Sequence, residues 1–210
     1  MNQLYCVSFS PTGTSKRAAW QIAEAFDCEK TAVDLCETAD REIWAEQKDV
    51  GIFSVPCYGG RIPQTAAKRL SRLHGDETPA IVCVTFGNRA YEDTLLELND
   101  ILERRGFRCI AGVAAVAEHS ILHQFAAGRP DEEDHRELLR FSEEIKKRLD
   151  DGKSTVLNIP GNRPYREYGV IPMVPKPSRG CSQCGLCARE CPVSAISLTD
   201  SAVVDADKCI

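Results

Sequence analysis

The chain has 210 residues, room for one full domain and a second small one. With 43% hydrophobic and 27% charged residues it has the composition of a globular protein with a real core, and its net charge of −5 argues against a nucleic-acid polyanion as main partner. No apolar run approaches the roughly 20 residues of a bilayer span, and the N-terminus enters a strand without a basic, then apolar, leader; a cytoplasmic protein without membrane association is the expectation.

In chain order, Leu4 to Phe9 reads as a short buried strand, and Lys16 to Phe26 as a helix with Ala18, Ala19, Ile22, Ala23 and Phe26 on one side. Lys30 to Leu35 alternates like a strand, and a short polar helix is expected around Asp40 to Glu46. Asp49 to Val55 is a continuous apolar run ending at Pro56, the signature of a central strand buried on both faces. Gln64 to His74 reads as helix, Pro79 to Phe86 as a second central strand, Tyr91 to Arg105 as an amphipathic helix and Arg108 to Ala117 as a fifth strand. Asp131 to Leu149 closes the series as a helix with acidic residues first and Lys146, Lys147 and Arg148 last, matching the helix dipole. Strands alternating with helices predict a parallel sheet covered on both faces. The expected class is α/β, a five-stranded parallel sheet in the order 2-1-3-4-5 over residues 1–155.

Ligands in such sheets sit at the carboxyl ends of the strands beside the switch point. That selects three loops. The first, Ser10-Pro11-Thr12-Gly13-Thr14-Ser15, is a strand-to-helix turn rich in hydroxyls. It can point backbone N–H groups at a phosphate, with Ser10, Thr12, Thr14 and Ser15 as further donors and Gly13 allowing close approach. It lacks the Gly-Lys-Ser ending of a P-loop, and Cys6 has no arginine at the distance a phosphatase loop requires. The second loop runs from Pro56 through Tyr58, Gly59, Gly60 and Arg61 to Pro63; the third, from Gly87 through Asn88, Arg89 and Tyr91 to Asp93. A phosphate cradle beside two loops with a tyrosine each suits a phosphorylated flat ring. The ordinary alternative is a well-capped turn, rim-packed tyrosines and solvated arginines. Cys57 reads as a small apolar filler and His119 as a surface-loop histidine.

Taken as one βα pattern, residues 1–150 resemble the flavodoxin family. The resemblance implies FMN, with its phosphate on 10–15 and its ring between the later loops, where Gly59 and Gly60 permit the backbone to turn over. Flavodoxins line this site with acidic residues; Arg61 and Arg89 depart from that and argue against a very low flavin potential.

Residues 156–177 read as a stiff, extended linker, since Pro160 to Pro177 holds five of the chain's 11 prolines. Six cysteines (Cys6, Cys28, Cys36, Cys57, Cys83, Cys109) are scattered through the first domain and read as free thiols. The other five crowd into 178–210. Cys181-x-x-Cys184-x-x-Cys187-x-x-x-Cys191-Pro192 has the spacing with which thiolates wrap a [4Fe–4S] cluster, and Cys209-Ile210 would open a second run. Structural zinc is the rival, though zinc ribbons separate their two knuckles by a longer gap. The run resembles the first half of a two-cluster bacterial ferredoxin. The ligand sets in these residues are incomplete, and a truncated chain is the expectation. With FSPTGTSK, VPCYGGRIP and FGNRAYED before the cysteines, the whole resembles the flavodoxin–ferredoxin fusion proteins of anaerobic bacteria. The function implied is electron transfer between FMN and two [4Fe–4S] clusters, exchanging electrons with a redox partner protein or a small-molecule acceptor. Two readings stand beside it: a flavin-dependent reductase of a small organic acceptor, and a binding module of the same fold without cofactor.

Overall fold

The computed structural model describes residues 1–37, 42–151, 157–169 and 173–210. Five strands, β1 (Leu4–Ser8), β2 (Lys30–Asp34), β4 (Val50–Pro56), β6 (Thr78–Phe86) and β7 (Phe107–Val116), form one sheet in the order β2-β1-β4-β6-β7. Every pairing in it is parallel. Numbered among themselves, these five lie in the expected 2-1-3-4-5 order.

Side-chain alternation divides the core between the two faces of the sheet. Val7, Phe9, Phe53, Val55, Val82 and Val84 face α2 (Gln64–Leu70) and α3 (Thr94–Arg104). Leu4, Cys6, Ile52, Ile81 and Cys83 face α1 (Thr14–Ala23) and α4 (Glu132–Asp150). The central strands β4 and β6 are buried along nearly their whole length, hence their unbroken apolar runs. The capping box at Asp131 and Asp134 fixes the start of α4. All eleven cysteines are free, and burial pushes the Cys6 and Cys83 thiols up to about 11.

Two expectations are corrected. The helix proposed at 40–46 is, over its described part, strand β3 (Ile43–Ala45); residues 38–41 lie outside the described residues. The helix proposed for 64–74 stops at Leu70, and Leu73–Gly75 becomes strand β5, pairing with β3 in a second, two-stranded parallel sheet. A pairing across thirty residues overrides the local pattern here. Trp44 stacks on His74 at 3.9 Å, and the Thr78 hydroxyl donates to the Ala45 carbonyl at 2.9 Å.

The proline-rich stretch, where described, has no helix or strand over 157–169 but is packed along α3. Asp93, Glu97 and Asp100 lie at helical spacing on one face and are all buried. Asp93 accepts the backbone N–H groups of Asn162 (2.8 Å) and Arg166 (2.7 Å). Asp100 takes the Arg163 guanidinium, at 2.8 Å from its Nε, and the Tyr165 hydroxyl. Tyr168 donates to Glu97 at 3.2 Å, and Leu157 and Ile159 pack on the core.

Burial pushes the Asp93 and Asp100 carboxyls up. The donors from Arg166 and Asn162, and from Arg163 and Tyr165, outweigh it and leave both below the ordinary aspartate value. Carboxylates depressed in the fold contribute stability above their unfolded pKa, about 3.9, and lose it as pH falls through the folded value. Urea unfolding at neutral pH should find Asp93→Ala destabilised by about 2 kcal/mol, because two part-buried N–H groups lose a charged acceptor. Below about pH 4 the difference from wild type should shrink as the wild-type carboxylate takes up its proton.

Candidate functional site

The carboxyl ends of the central strands open into a cleft of about 320 Å³, walled by residues that follow β1, β4, β6 and β7. Its floor is the start of α1. A helix cannot satisfy its own first N–H groups, and here the nearby donors are only partly used. Gly13 N–H donates to the Ser10 carbonyl and Lys16 N–H to the Ser10 hydroxyl, both at 3.0 Å; Arg17 N–H donates to the Gly13 carbonyl. Those of Thr12, Thr14 and Ser15 have no protein acceptor among the described residues. Gly13 occupies the N-cap with φ +84°, where a side chain would be strained although open space surrounds it. The Ser15 hydroxyl lies 2.7 Å from that of Thr85, which pins the first turn of α1 to the end of β6.

Tyr58 forms the wall after β4. Tyr58 and Arg61 exchange backbone hydrogen bonds of 2.9 and 3.2 Å across Gly59 and Gly60, whose φ values of +60° and +87° are those of a tight type I′ turn. Burial pushes the Tyr58 phenol up to about 12, so it stays protonated.

Of the residues singled out in the sequence, the structure brings Ser10, Thr12, Thr14, Ser15, Pro56, Tyr58, Gly59 and Gly87 to the cleft wall. Gly13 caps the helix beneath it. Gly60, Arg61, Asn88, Arg89, Tyr91 and Asp93 do not line it. Tyr91 packs edge-on against Phe86 at 5.3 Å. Arg61 forms a two-pronged ion pair with Glu97 (2.8 and 2.7 Å), with its guanidinium 4.1 Å over the ring of Tyr168 and 4.9 Å from that of Tyr165. Arg89 pairs with Glu92 in solvent. Asp93 holds the proline-rich strap.

Sequence reasoning missed Thr85, Phe86, Glu118, His119, Ser120 and Ile121 as cleft residues. Thr85 and Phe86 end a central strand and were open to the strand-end rule. Residues 118–121 follow the edge strand β7, and only the return of that loop toward α1 carries them in: Arg17 Nη2 donates to the Pro130 carbonyl at 3.1 Å. Cys57 and Ile210 also line the cleft.

The cysteine-rich segment contains the short helix α5 (Leu186–Arg189) and an antiparallel bridge between Ile196 and Val204. Arg69 Nη2 on α2's last turn donates to the Pro192 carbonyl at 2.6 Å. Hydrogen bonds from the Leu186 N–H and Ser182 hold the Cys184 thiol below its ordinary value. Cys181, Cys184 and Cys187 are exposed, and Cys191 and Cys209 half-buried. Among the described residues no three His, Cys, Asp or Glu side chains are placed to hold a metal ion. No helix of the described residues is long and apolar enough to cross a membrane.

The different settings of the two arginines predict different costs. Arg61→Ala leaves the buried Glu97 without its counter-charge and should lower stability by about 3 kcal/mol in urea unfolding. Arg89→Ala removes an exposed pair and should change it by less than about 0.5 kcal/mol.

No protein-family model matches the chain, and no curated protein matches it. Solved structures do. The flavodiiron core Flv1 of Synechocystis sp. PCC6803 aligns at 15% identity with a TM-score of 0.51, over 72% of this chain and 37% of that one. Rubredoxin oxygen:oxidoreductase of the anaerobe Desulfovibrio gigas aligns at 15% identity with a TM-score of 0.50 and the same two coverages. A flavodoxin of Streptococcus pneumonia TIGR4 aligns at 17% identity over 70% of this chain and 99% of that one, with a TM-score of 0.47. What the two higher-scoring likenesses establish is the fold, an α/β domain built on a five-stranded parallel sheet.

Proposed function

We propose that the cleft binds FMN and that the protein is an electron-transfer flavoprotein. The observation that carries this is the set of partnerless N–H groups of Thr12, Thr14 and Ser15 at the positive end of α1, opening into a cleft walled by Tyr58. An anion accepting those donors completes a helix start that the protein leaves incomplete. The hydroxyls of Ser10, Thr12 and Thr14 surround the same place, and Gly13 keeps it clear of side chains. Tyr58 offers an apolar ring face beside the flexible Gly59. When bound, FMN supplies the chemistry of accepting two electrons and releasing them singly. The chain's own residues bind the phosphate, present an aromatic wall and, through Phe86, Ile121 and Ile210, narrow the access of water. The names of the two higher-scoring structures, an oxidoreductase and a flavodiiron core, agree with a redox role.

The electrostatics differ from the sequence-based expectation. With Arg61 and Arg89 engaged elsewhere, no lysine or arginine lines the cleft among the described residues. The two charges that argued against a low flavin potential are therefore absent from the binding surface.

Fluorescence titration should show the apoprotein taking up one FMN per chain. Gly13→Val should weaken uptake about tenfold, because a β-branched residue resists φ +84° and displaces the cradle. Failure of the wild-type chain to quench FMN would overturn the reading and favour a binding module without cofactor.

The iron–sulfur partnership rests on the spacing of Cys181, Cys184, Cys187 and Cys191, followed by Cys209. Iron and acid-labile sulfide analysis of the intact, anaerobically isolated protein should find about eight irons per chain if two [4Fe–4S] clusters are present. Zinc in their place would refute the assignment.

A further inference from the structure

The wall after β7 contains a donor that the FMN reading leaves unused, and any role for that donor rests on the same reading. Nδ1 of His119 accepts the backbone N–H groups of Ile121 and Leu122, both at 3.2 Å. A ring nitrogen that accepts carries no proton, so the neutral ring holds its proton on Nε2. Among the described residues that N–H has no protein partner, and His119 lines the cleft.

The ring's seat is built. A Cβ on Gly87 would stand 2.7 Å from Cδ2 and 3.0 Å from Cβ of His119, so the ring rests where residue 87 has no side chain. His119 N–H donates to the Phe125 carbonyl at 3.1 Å, and Glu118 N–H to that of Arg129 at 2.9 Å. The Glu118 carboxylate accepts the Gly128 N–H at 2.7 Å and pairs with His123.

This donor and the first turn of α1 line one cleft. Gly87 lies two residues beyond Thr85, roughly 7 Å along the chain direction, and Thr85 touches Ser15 in the first turn of α1. The loop also returns to α1 through Arg17 and Pro130. His119 lines the same cleft as the open N–H groups of α1, in a lining without lysine or arginine whose one carboxylate, Glu118, is engaged by the Gly128 N–H and His123. A phosphate there must be held by N–H and O–H donors alone.

We propose that His119 Nε2–H is a fixed hydrogen-bond donor to the FMN phosphate and that it contributes to selection of FMN over riboflavin. His119→Phe keeps the ring on Gly87 and removes the donor. Gly87→Ala keeps the donor and pushes the ring from its seat.

The test is titration of FMN and of riboflavin, by flavin fluorescence, into the full chain and both variants, with urea midpoints confirming that each is folded. A hydrogen bond to a charged group predicts that His119→Phe weakens FMN binding about tenfold or more and changes riboflavin binding less than about twofold. Gly87→Ala should weaken FMN binding in the same direction. Unchanged FMN affinity in His119→Phe, or equal losses for both flavins, would overturn the assignment. A wild-type chain that binds neither flavin fails at the earlier step and removes the FMN reading itself.

Discussion

The first turn of α1 has N–H groups that no residue of the same helix can accept, and the carboxyl edge of the sheet is arranged around them. β1 delivers the chain to this turn from the middle of the sheet, with β2 on one side and β4 on the other. Connections leaving such a switch point diverge to opposite faces and leave a gap above it. Ser15 and Thr85 hold the turn against β6, so the open N–H groups face a cleft of fixed shape.

The second organising feature is the acidic face of α3. Asp93, Glu97 and Asp100 are buried at helical spacing, which isolated carboxylates cannot be without large cost. Each is matched: Asp93 by backbone N–H groups of the strap, Glu97 by Arg61, and Asp100 by Arg163 and Tyr165. This network turns Arg61 away from the cleft and gives the proline-rich stretch a structural role. The electrostatics of the cleft therefore depend on a carboxylate 36 positions from Arg61 in the chain. A strap built from proline, arginine and tyrosine does this without regular secondary structure, because its polar groups find acceptors on the helix instead of on itself.

Much of the architecture was legible in the chain itself. The apolar runs at 49–55 and 79–86 marked the two central strands. Period-2 alternation and helical spacing marked most of the rest, and the βα order implied the parallel sheet. The strand-end rule located the cradle at 10–15, Tyr58 and Gly87, because those positions depend only on where a strand stops. The five-cysteine cluster was equally visible as a motif.

Tertiary structure decided what local pattern could not. β3 and β5 exist because each meets the other, and neither segment states that alone. Arg61 and Arg89 sit in the selected loops by sequence, yet the direction of a long charged side chain is set by the carboxylate it pairs with, and the buried Glu97 and the half-exposed Glu92 claim them. His119 reads as a surface-loop residue until the loop after β7 folds back over Gly87 toward α1. Strand and helix periodicities report burial along one element, so they determine the frame; the composition of a cleft is set by contacts between elements, which only the folded chain brings together.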